Sequence, residues 1–328
     1  MMVVEDFYRL PERAVQCTLC PWRCVLYEGA KGKCGNYTNY GGELACNCYG
    51  QVEVFALEPL EKKPLYHYGV GMQVLSVGTH GCTLRCDTCH NRFITHTSES
   101  QHVVRLTPQQ VVETALSLRE QRNVGVAFTY NEPTVWYPYV LHTLMLAKSH
   151  GLHAVLVTNG LIHPRPLKAL LPFVDALQVD VKSYHDDTYL RLCHGPPGCA
   201  ELVRSNVALM HKEEKHIEVT TLLLDETILP IAQWLGDLEP LIPLHLPLYR
   251  TPIGGCIPST PAEFVDEQAS IARKYLAYVY TDQQRDTVCA RCGAVVVSRR
   301  GFRVTGYHLN DEGVCTCGEP VVCVPRFN

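Results

Sequence analysis

From residue 72 to residue 285 the chain alternates short, almost unbroken apolar runs with longer stretches of helical spacing. The apolar runs fall at 73–78, 124–129, 153–158, 174–181, 217–224, 243–249 and 277–281. Helical stretches lie between them at 108–121, 135–150, 163–171, 200–214, 228–240 and 261–276. Two carry start signals. Thr107-Pro108-Gln109-Gln110 and Thr260-Pro261-Ala262-Glu263 each offer a capping hydroxyl, a proline at the first helical position and a reciprocal partner at the third. Strands apolar on both faces and separated by helices predict a parallel sheet buried on both sides. About six such units are too few for a closed eight-unit barrel. The residues alone leave a partial (β/α)6 barrel and a doubly wound sheet both open.

The flanks break this pattern, so the chain reads as three segments. Residues 1–71 form a cysteine-rich extension holding Cys17, Cys20, Cys24, Cys34, Cys46 and Cys48, with many glycines and no long amphipathic helix. Residues 72–285 form the alternating core. Residues 286–328 form a short, strand-like, cysteine-rich tail.

Composition narrows the class. In 328 residues, 46% are hydrophobic and 19% charged, an ordinary globular balance. Net charge is −4 and no Lys/Arg block occurs, so nucleic acid and anionic membrane are not indicated as partners. No apolar run approaches the ~20 residues of a membrane span. The start carries Glu5, Asp6 and Glu12 and no secretory apolar core, which reads as a cytoplasmic protein. The 17 cysteines are the anomaly. In a long chain of a reducing compartment, clustered cysteines read as metal sites rather than disulfides.

The sharpest chemistry is Gly81-Cys82-Thr83-Leu84-Arg85-Cys86-Asp87-Thr88-Cys89, directly after the first strand of the core. Its C-x3-C-x2-C spacing gives three thiolates on one loop. Zinc commonly takes four ligands with paired C-x2-C spacing, which a lone triad fits poorly. Three thiolates can hold three irons of a [4Fe–4S] cube and leave the fourth open to a small molecule. Other polar groups also fall at strand ends: Tyr130-Asn131-Glu132-Pro133, Asn159-Gly160, Asp180 with Lys182, and His245. In parallel β/α folds such ends form one rim, where ligands bind.

These landmarks resemble the radical S-adenosylmethionine (SAM) superfamily. Within it they resemble the radical SAM member of the AmmeMemoRadiSam system, a relative of the pyruvate formate-lyase activating enzymes. The resemblance runs from Cys17 to about Gly318, through Cys17-Thr18-Leu19-Cys20-Pro21, Glu61-Lys62-Lys63-Pro64-Leu65-Tyr66-His67, the triad loop, Tyr130 to Thr134, Val157 to Gly160, Val179 to Lys182 and Pro243 to His245. It departs at Thr88, where such families carry an aromatic residue. The resemblance implies a partial (β/α)6 radical SAM barrel and two cofactors, a [4Fe–4S] cluster on Cys82, Cys86 and Cys89 and SAM. It implies reductive cleavage of SAM to methionine and a 5′-deoxyadenosyl radical that takes a hydrogen atom from an unidentified substrate. No catalytic residue beyond the cofactors is implied. SAM's ammonium wants a carboxylate or carbonyl oxygen, and the resemblance assigns Glu132 to it, at the place where related enzymes have a Gly-Gly-Glu motif, with Asn131 beside it. Thr158, Asn159, Asp180 and Lys182 are nominated for its carboxylate and ribose, and the resemblance adds His245. Asp180 and Lys182 also read as an internal ion pair, and His245 as a hydrogen-bonded core residue. A flavodoxin- or ferredoxin-type electron donor is the expected partner, and the substrate could be a protein.

At the amino end, Cys17-x2-Cys20-x3-Cys24-x9-Cys34 offers four thiolates to a second metal, zinc or iron–sulfur. Cys46 and Cys48 are alternative ligands or packed thiols. At the carboxyl end, Cys289-x2-Cys292 and Cys315-x-Cys317 resemble a zinc-ribbon or rubredoxin-like pair of knuckles, for zinc or iron, with Cys323 or His308 as substitutes. Zinc is favoured there because a tail of this size has little core of its own. Cys193, Cys199 and Cys256 read mainly as inert thiols, and Phe128 and Tyr130 as core. Two other functions compete: a glycyl-radical-enzyme activase, and a non-catalytic, zinc-stapled interaction protein.

Overall fold

The seven apolar runs become seven strands of one eight-stranded sheet, whose remaining strand, β1 (Val54–Pro59), comes from the amino-terminal segment, where no strand of the core was expected; the others are β2 (Gln73–Gly78), β3 (Asn123–Phe128), β4 (His153–Thr158), β5 (Ala176–Asp180), β6 (His216–Thr220), β7 (Leu244–Leu246) and β8 (Val279–Thr281). In this computed structural model the described residues are Met2–Val3, 7–97, 103–224, 226–251 and 257–321. Spatial order follows chain order from β8 to β1 without a reversal. All neighbours are parallel except β1, which runs antiparallel along β2. A doubly wound sheet needs a switch point where strand order reverses. None exists here, so the sheet is singly wound, a partial barrel open between β8 and β1.

Helices connect successive strands: α1 (Pro108–Ser117), α2 (Tyr137–Ser149), α3 (Pro164–Leu170), α4 (Asp186–Arg191), α5 (Cys199–Lys212), α6 (Leu229–Leu238) and α7 (Ala262–Ala272). Thr107 closes the expected capping box on α1, with Gln110 N donating to Thr107 Oγ1 at 3.2 Å and Thr107 N donating to Gln110 Oε1 at 2.8 Å. The matching expectation at Thr260 fails. Its hydroxyl donates to the Leu223 carbonyl at 2.7 Å, and α7 starts after Pro261 with no side-chain cap. The buried carbonyl of Leu223 offered the stronger partner.

The amino-terminal segment shares the barrel's core. Val15, Leu19, Tyr37 and Leu44 pack in one apolar cluster with Leu75, Val77, Val126 and Val135. The same segment supplies β1, the antiparallel edge strand. The carboxyl-terminal segment instead has its own small core, in which Val296, Val297 and Leu309 pack with Tyr66, Tyr278 and Tyr280. Its strands β9 (Thr287–Val288), β10 (Val295–Arg300) and β11 (Arg303–Tyr307) form a separate antiparallel sheet. Arg299 pins it to the barrel, donating to the Tyr66 carbonyl at 2.6 Å and lying 4.3 Å from the Tyr66 ring centroid. No helix among the described residues is long and apolar enough to cross a membrane.

Candidate active site

The carboxyl ends of β2 to β6 surround a cavity of about 400 Å³. Cys82, Cys86, Cys89, Asn131, Glu132, Thr158, Asn159, Asp180 and Lys182 all line it. Parallel strands force this convergence, because each strand hands its following loop to the same rim. The volume lies in the range of small-molecule and cofactor sites.

The triad loop is fixed from behind by its neighbours. Asn131 Oδ1 accepts from Thr79 N at 3.0 Å, and its Nδ2 donates to the Gly81 carbonyl at 3.2 Å. Asn159 Nδ2 donates to Thr83 Oγ1 at 2.9 Å and approaches Cys82 Sγ at 3.7 Å. Gly81 must be glycine: its φ is +82°, and a Cβ there would stand 2.8 Å from the Cys34 carbonyl oxygen. Burial pushes the Cys82 and Cys89 thiols up, and Glu132 adds to the effect at Cys82. Cys86 moves the other way, down to about 7, because Cys193 hydrogen-bonds its sulfur and Lys182 places a positive charge nearby.

Glu132 is buried but not free. Its Oε1 accepts from Thr134 N at 3.0 Å, Thr134 Oγ1 at 2.7 Å and Thr158 Oγ1 at 3.0 Å; its Oε2 accepts from Asn159 N at 2.8 Å. A carboxylate has about four acceptor sites. Glu132 is therefore committed to joining the loops after β3 and β4, with little capacity for an ammonium ion. Burial still raises its pKa. Asp180 and Lys182 form an ion pair at 3.0 Å on the cavity wall. Burial alone would pull Lys182 down, but Asp180 and the neighbouring cysteines hold it protonated, above its ordinary value.

His245 departs from the expectation. It is buried in mid-strand, outside the cavity lining. Its Nε2 lies 2.7 Å from Glu218 Oε2, and its ring stacks on Tyr280. Glu218 is fully buried and also accepts from the amides of Tyr66 and His67 at 2.9 and 2.7 Å. Burial opposes its ionisation, but His216 and His245 hold it below the usual carboxylate range. The sequence signal was available: a lone carboxylate inside the apolar run Ile217-Glu218-Val219 needs buried partners.

Two residues read as inert or core belong to the cavity. Cys193 lines it beside Cys86, on a loop docked to the triad loop by Arg85 N to the Cys193 carbonyl at 3.0 Å and Asp87 N to the Leu192 carbonyl at 2.9 Å. Tyr130 also lines it, with φ +73°, a conformation strained for a bulky residue. Asn91 Nδ2 holds its carbonyl at 2.9 Å, and its hydroxyl donates to Glu58, which Lys62 and Lys63 also contact. Despite burial, those three donors hold Glu58 down at about 2. Cys199 stays a packed thiol, donating to the Pro196 carbonyl at 2.9 Å, and Phe128 is core.

Cys289, Cys292, Cys315 and Cys317 form a second centre. Their sulfurs lie within 4.8 Å of one another, the one such group of three or more His, Cys, Asp or Glu ligands among the described residues. Two cross pairs measure 3.6 Å (Cys289 to Cys317) and 3.8 Å (Cys292 to Cys315). A tetrahedral zinc ion with 2.3 Å bonds sets its sulfurs about 3.8 Å apart. The one-residue departure at Cys315-x-Cys317 thus does not prevent closure, and His308 is not among the gathered ligands. Cys256 and Cys323 lie outside the described residues. Cys46 and Cys48 face one another at 3.7 Å, and Cys48 donates to the Val135 carbonyl, as packed thiols do.

A family model described as the radical SAM superfamily matches residues 76–235. Uncharacterized protein MJ0808 of Methanocaldococcus jannaschii is 32% identical over 336 residues, 96% of this chain and 97% of that one. The chain belongs to the radical SAM superfamily. Within the superfamily it is similar to pyruvate formate-lyase activating enzymes: the pyruvate formate-lyase 1-activating enzyme of Escherichia coli is 26% identical over 117 residues. That match covers 34% of this chain and 46% of the enzyme, so the chain matches less than half of that enzyme's length. The radical SAM fold likeness extends to SuiB of Streptococcus suis solved with SAM bound, at TM-score 0.50 and 11% identity, over 70% of this chain and 55% of that one. Membership implies a [4Fe–4S] cluster and SAM. The cavity fits both, since three cysteines, a hydrogen-bond donor to Cys82 and the ion pair of Asp180 with Lys182 share one wall.

Proposed function

We propose that this chain reductively cleaves SAM and uses the product to remove a hydrogen atom from a substrate. The observation that carries the reading is the meeting of Cys82, Cys86 and Cys89 with Asp180 and Lys182 in one cavity at the rim of a parallel sheet. When bound, a [4Fe–4S] cluster supplies one electron to the sulfonium of SAM and an open iron for its amine and carboxylate. The chain's residues do the rest. Cys82, Cys86 and Cys89 hold the cluster as thiolates. Asn131 and Asn159 keep the loop rigid, so the sulfurs need no rearrangement. Lys182 and Asp180 present both signs of charge to a zwitterionic ligand. Leu84, Leu192, Leu222 and Leu224 line the cavity with apolar surface and keep solvent away from the reacting atoms.

Glu132 acts as a positioning residue through Thr158 and Asn159. His245 acts within the barrel interior through Glu218. The ribbon's cysteines bind zinc and hold residues 286–321 against the barrel. The electron comes from a one-electron donor of flavodoxin or ferredoxin type.

The test is anaerobic reconstitution with iron and sulfide, followed by dithionite and SAM. The reading expects methionine and 5′-deoxyadenosine in equal amounts. The Cys82→Ala/Cys86→Ala/Cys89→Ala protein should form neither. If 5′-deoxyadenosine formed equally in that variant, the reading would be wrong. Deuterated candidate substrates, proteins included, then show which one transfers its label to the product.

A further inference from the structure

Four of the six cysteines of the amino-terminal segment are unused by the site described above, yet the fold brings them together. Cys17, Cys20, Cys24 and Cys34 line one small cavity, closed by Leu19, Trp22, Tyr37 and Val135. Burial pushes the Cys20 thiol up and the Cys34 thiol up to about 12, while backbone amides aimed at the sulfurs act the other way. Lys33 N donates to Cys24 Sγ at 3.4 Å, the Trp22 amide bonds Cys20, and the amides of Asn36 and Tyr37 bond Cys34. Gly32 borders the same sulfurs: a Cβ there would stand in ordinary contact, 3.8 Å from Cys24 Sγ and 4.0 Å from Cys34 Sγ.

Spacing separates the candidate metals. The ribbon's four sulfurs have closed to single-ion distances, but the amino-terminal four have not, although they share a cavity. In this they match the triad of Cys82, Cys86 and Cys89. A cube seats each thiolate on a different iron and so holds the sulfurs farther apart than one zinc ion does. Three cysteines in a close run with one remote partner also suit a cube, since one loop can take three corners.

The position is specific. Trp22 Nε1 donates to the Thr83 carbonyl at 2.8 Å. Thr83 lines the amino-terminal cavity, while its neighbour Cys82 lines the central one. Asn36 Nδ2 donates to the His80 carbonyl at 2.7 Å, a second tie to the same loop. Successive residues of one loop thus line the two cavities.

We propose that Cys17, Cys20, Cys24 and Cys34 hold a second [4Fe–4S] cluster, back to back with the central one. With all four corners taken by cysteine, this centre has no open iron for SAM. Its role is to carry single electrons: one enters from a one-electron donor, dithionite in the tube, and one leaves to the central cluster, with no bond made or broken.

The experiment compares anaerobically reconstituted full-length proteins for iron, acid-labile sulfide and zinc, and for electron paramagnetic resonance after reduction. Wild type should carry about eight irons and eight sulfides, two cubes' worth. The Cys82→Ala/Cys86→Ala/Cys89→Ala protein should keep about four of each, which only a second site can hold. A Cys20→Ser/Cys34→Ser protein should also keep about four, now in the central site. Spin coupling between two reduced clusters should broaden the wild-type signal and be absent from both variants. A triple variant without sulfide, or with zinc in place of iron at the amino-terminal cysteines, would overturn the proposal. Iron that survives in the triple variant but is lost from Cys20→Ser/Cys34→Ser upholds this site and counts against the central one. Because the triple variant leaves the amino-terminal segment intact, misfolding of the serine variant does not blunt the test.

Discussion

The ribbon and the barrel rim use the same residue for opposite ends. In the ribbon, four cysteines close on one point, and each pair is followed by a glycine in the left-handed region: Gly293 at φ +73° and Gly318 at φ +85°. Those glycines let the chain turn back, so Gly293 N bonds the Cys289 carbonyl at 2.9 Å and Gly318 N bonds the Cys315 carbonyl at 2.8 Å. Every feature serves closure around an ion. At the rim, three cysteines stand apart in an open cavity, and the polar groups around them are already satisfied by one another. One arrangement holds a small sheet together. The other keeps room for a ligand and fixes the walls beforehand. Cysteine count alone does not distinguish them; sulfur spacing and the hydrogen bonding of neighbours do.

The comparison can be broken at either end, beginning where the effect is largest. Replacing Cys82, Cys86 and Cys89 by alanine should remove SAM cleavage entirely while leaving the far-ultraviolet circular dichroism spectrum close to wild type. Chelating the ribbon's metal should do the reverse. A four-cysteine zinc site contributes on the order of 10 kcal/mol. Residues 286–321 should then lose hydrogen-exchange protection while β2 to β6 keep theirs. Equal loss in both regions would show that the ribbon is not a separate staple. Lys182→Met should slow SAM cleavage about ten-fold, the equivalent of about 1.4 kcal/mol, and should lower the reduction potential of the central cluster. An unchanged potential would remove Lys182 from the sulfur environment.

Glu132→Gln tests the prefixed wall. The new NH2 must face either the Thr134 amide or the Asn159 amide, donor against donor, costing about 1–3 kcal/mol of stability. SAM affinity should fall with it, and a variant with native stability and affinity would show that the network is dispensable. The effect most confined to one pH window is at Glu61, between barrel and ribbon. Burial raises its pKa to about 7, although the Gly71 amide and Arg299 act to lower it. A carboxyl with a raised folded-state pKa binds its proton more tightly folded than unfolded, so its contribution to stability falls as pH rises from about 4.5 to about 7. Glu61→Gln should therefore gain in melting temperature over wild type across that window, with no further gain above it. The gain at pH 8 is at most about 3 kcal/mol.

The strands were legible because a parallel sheet buried on both faces leaves no polar alternation to confuse the reading. The six-residue α4 was not, since so short a helix has too few turns to show a period. At the site, strand-end position correctly gathered the triad, Asn131, Glu132, Asp180 and Lys182 around one cavity. It could not tell whether a residue faces the cavity freely or is already bonded, which is why Glu132 looked available. At His245 it gave the level but not the direction: the residue lies in register with Thr220, which lines the cavity, yet its ring turns to Glu218, two residues earlier on β6, and stacks on Tyr280. Cys193 escaped because its nearness to Cys86 depends on a loop docking across 107 residues of sequence, as the neighbouring pair Asp87 and His194 shows.

The central claim is that the rim's three cysteines hold a cluster that SAM touches directly. Electron paramagnetic resonance of the Cys20→Ser/Cys34→Ser protein, reduced anaerobically, isolates that cluster. Adding SAM should change the spectrum, and the change should vanish when Cys82, Cys86 and Cys89 are also replaced. A cluster signal that does not respond to saturating SAM would contradict the account.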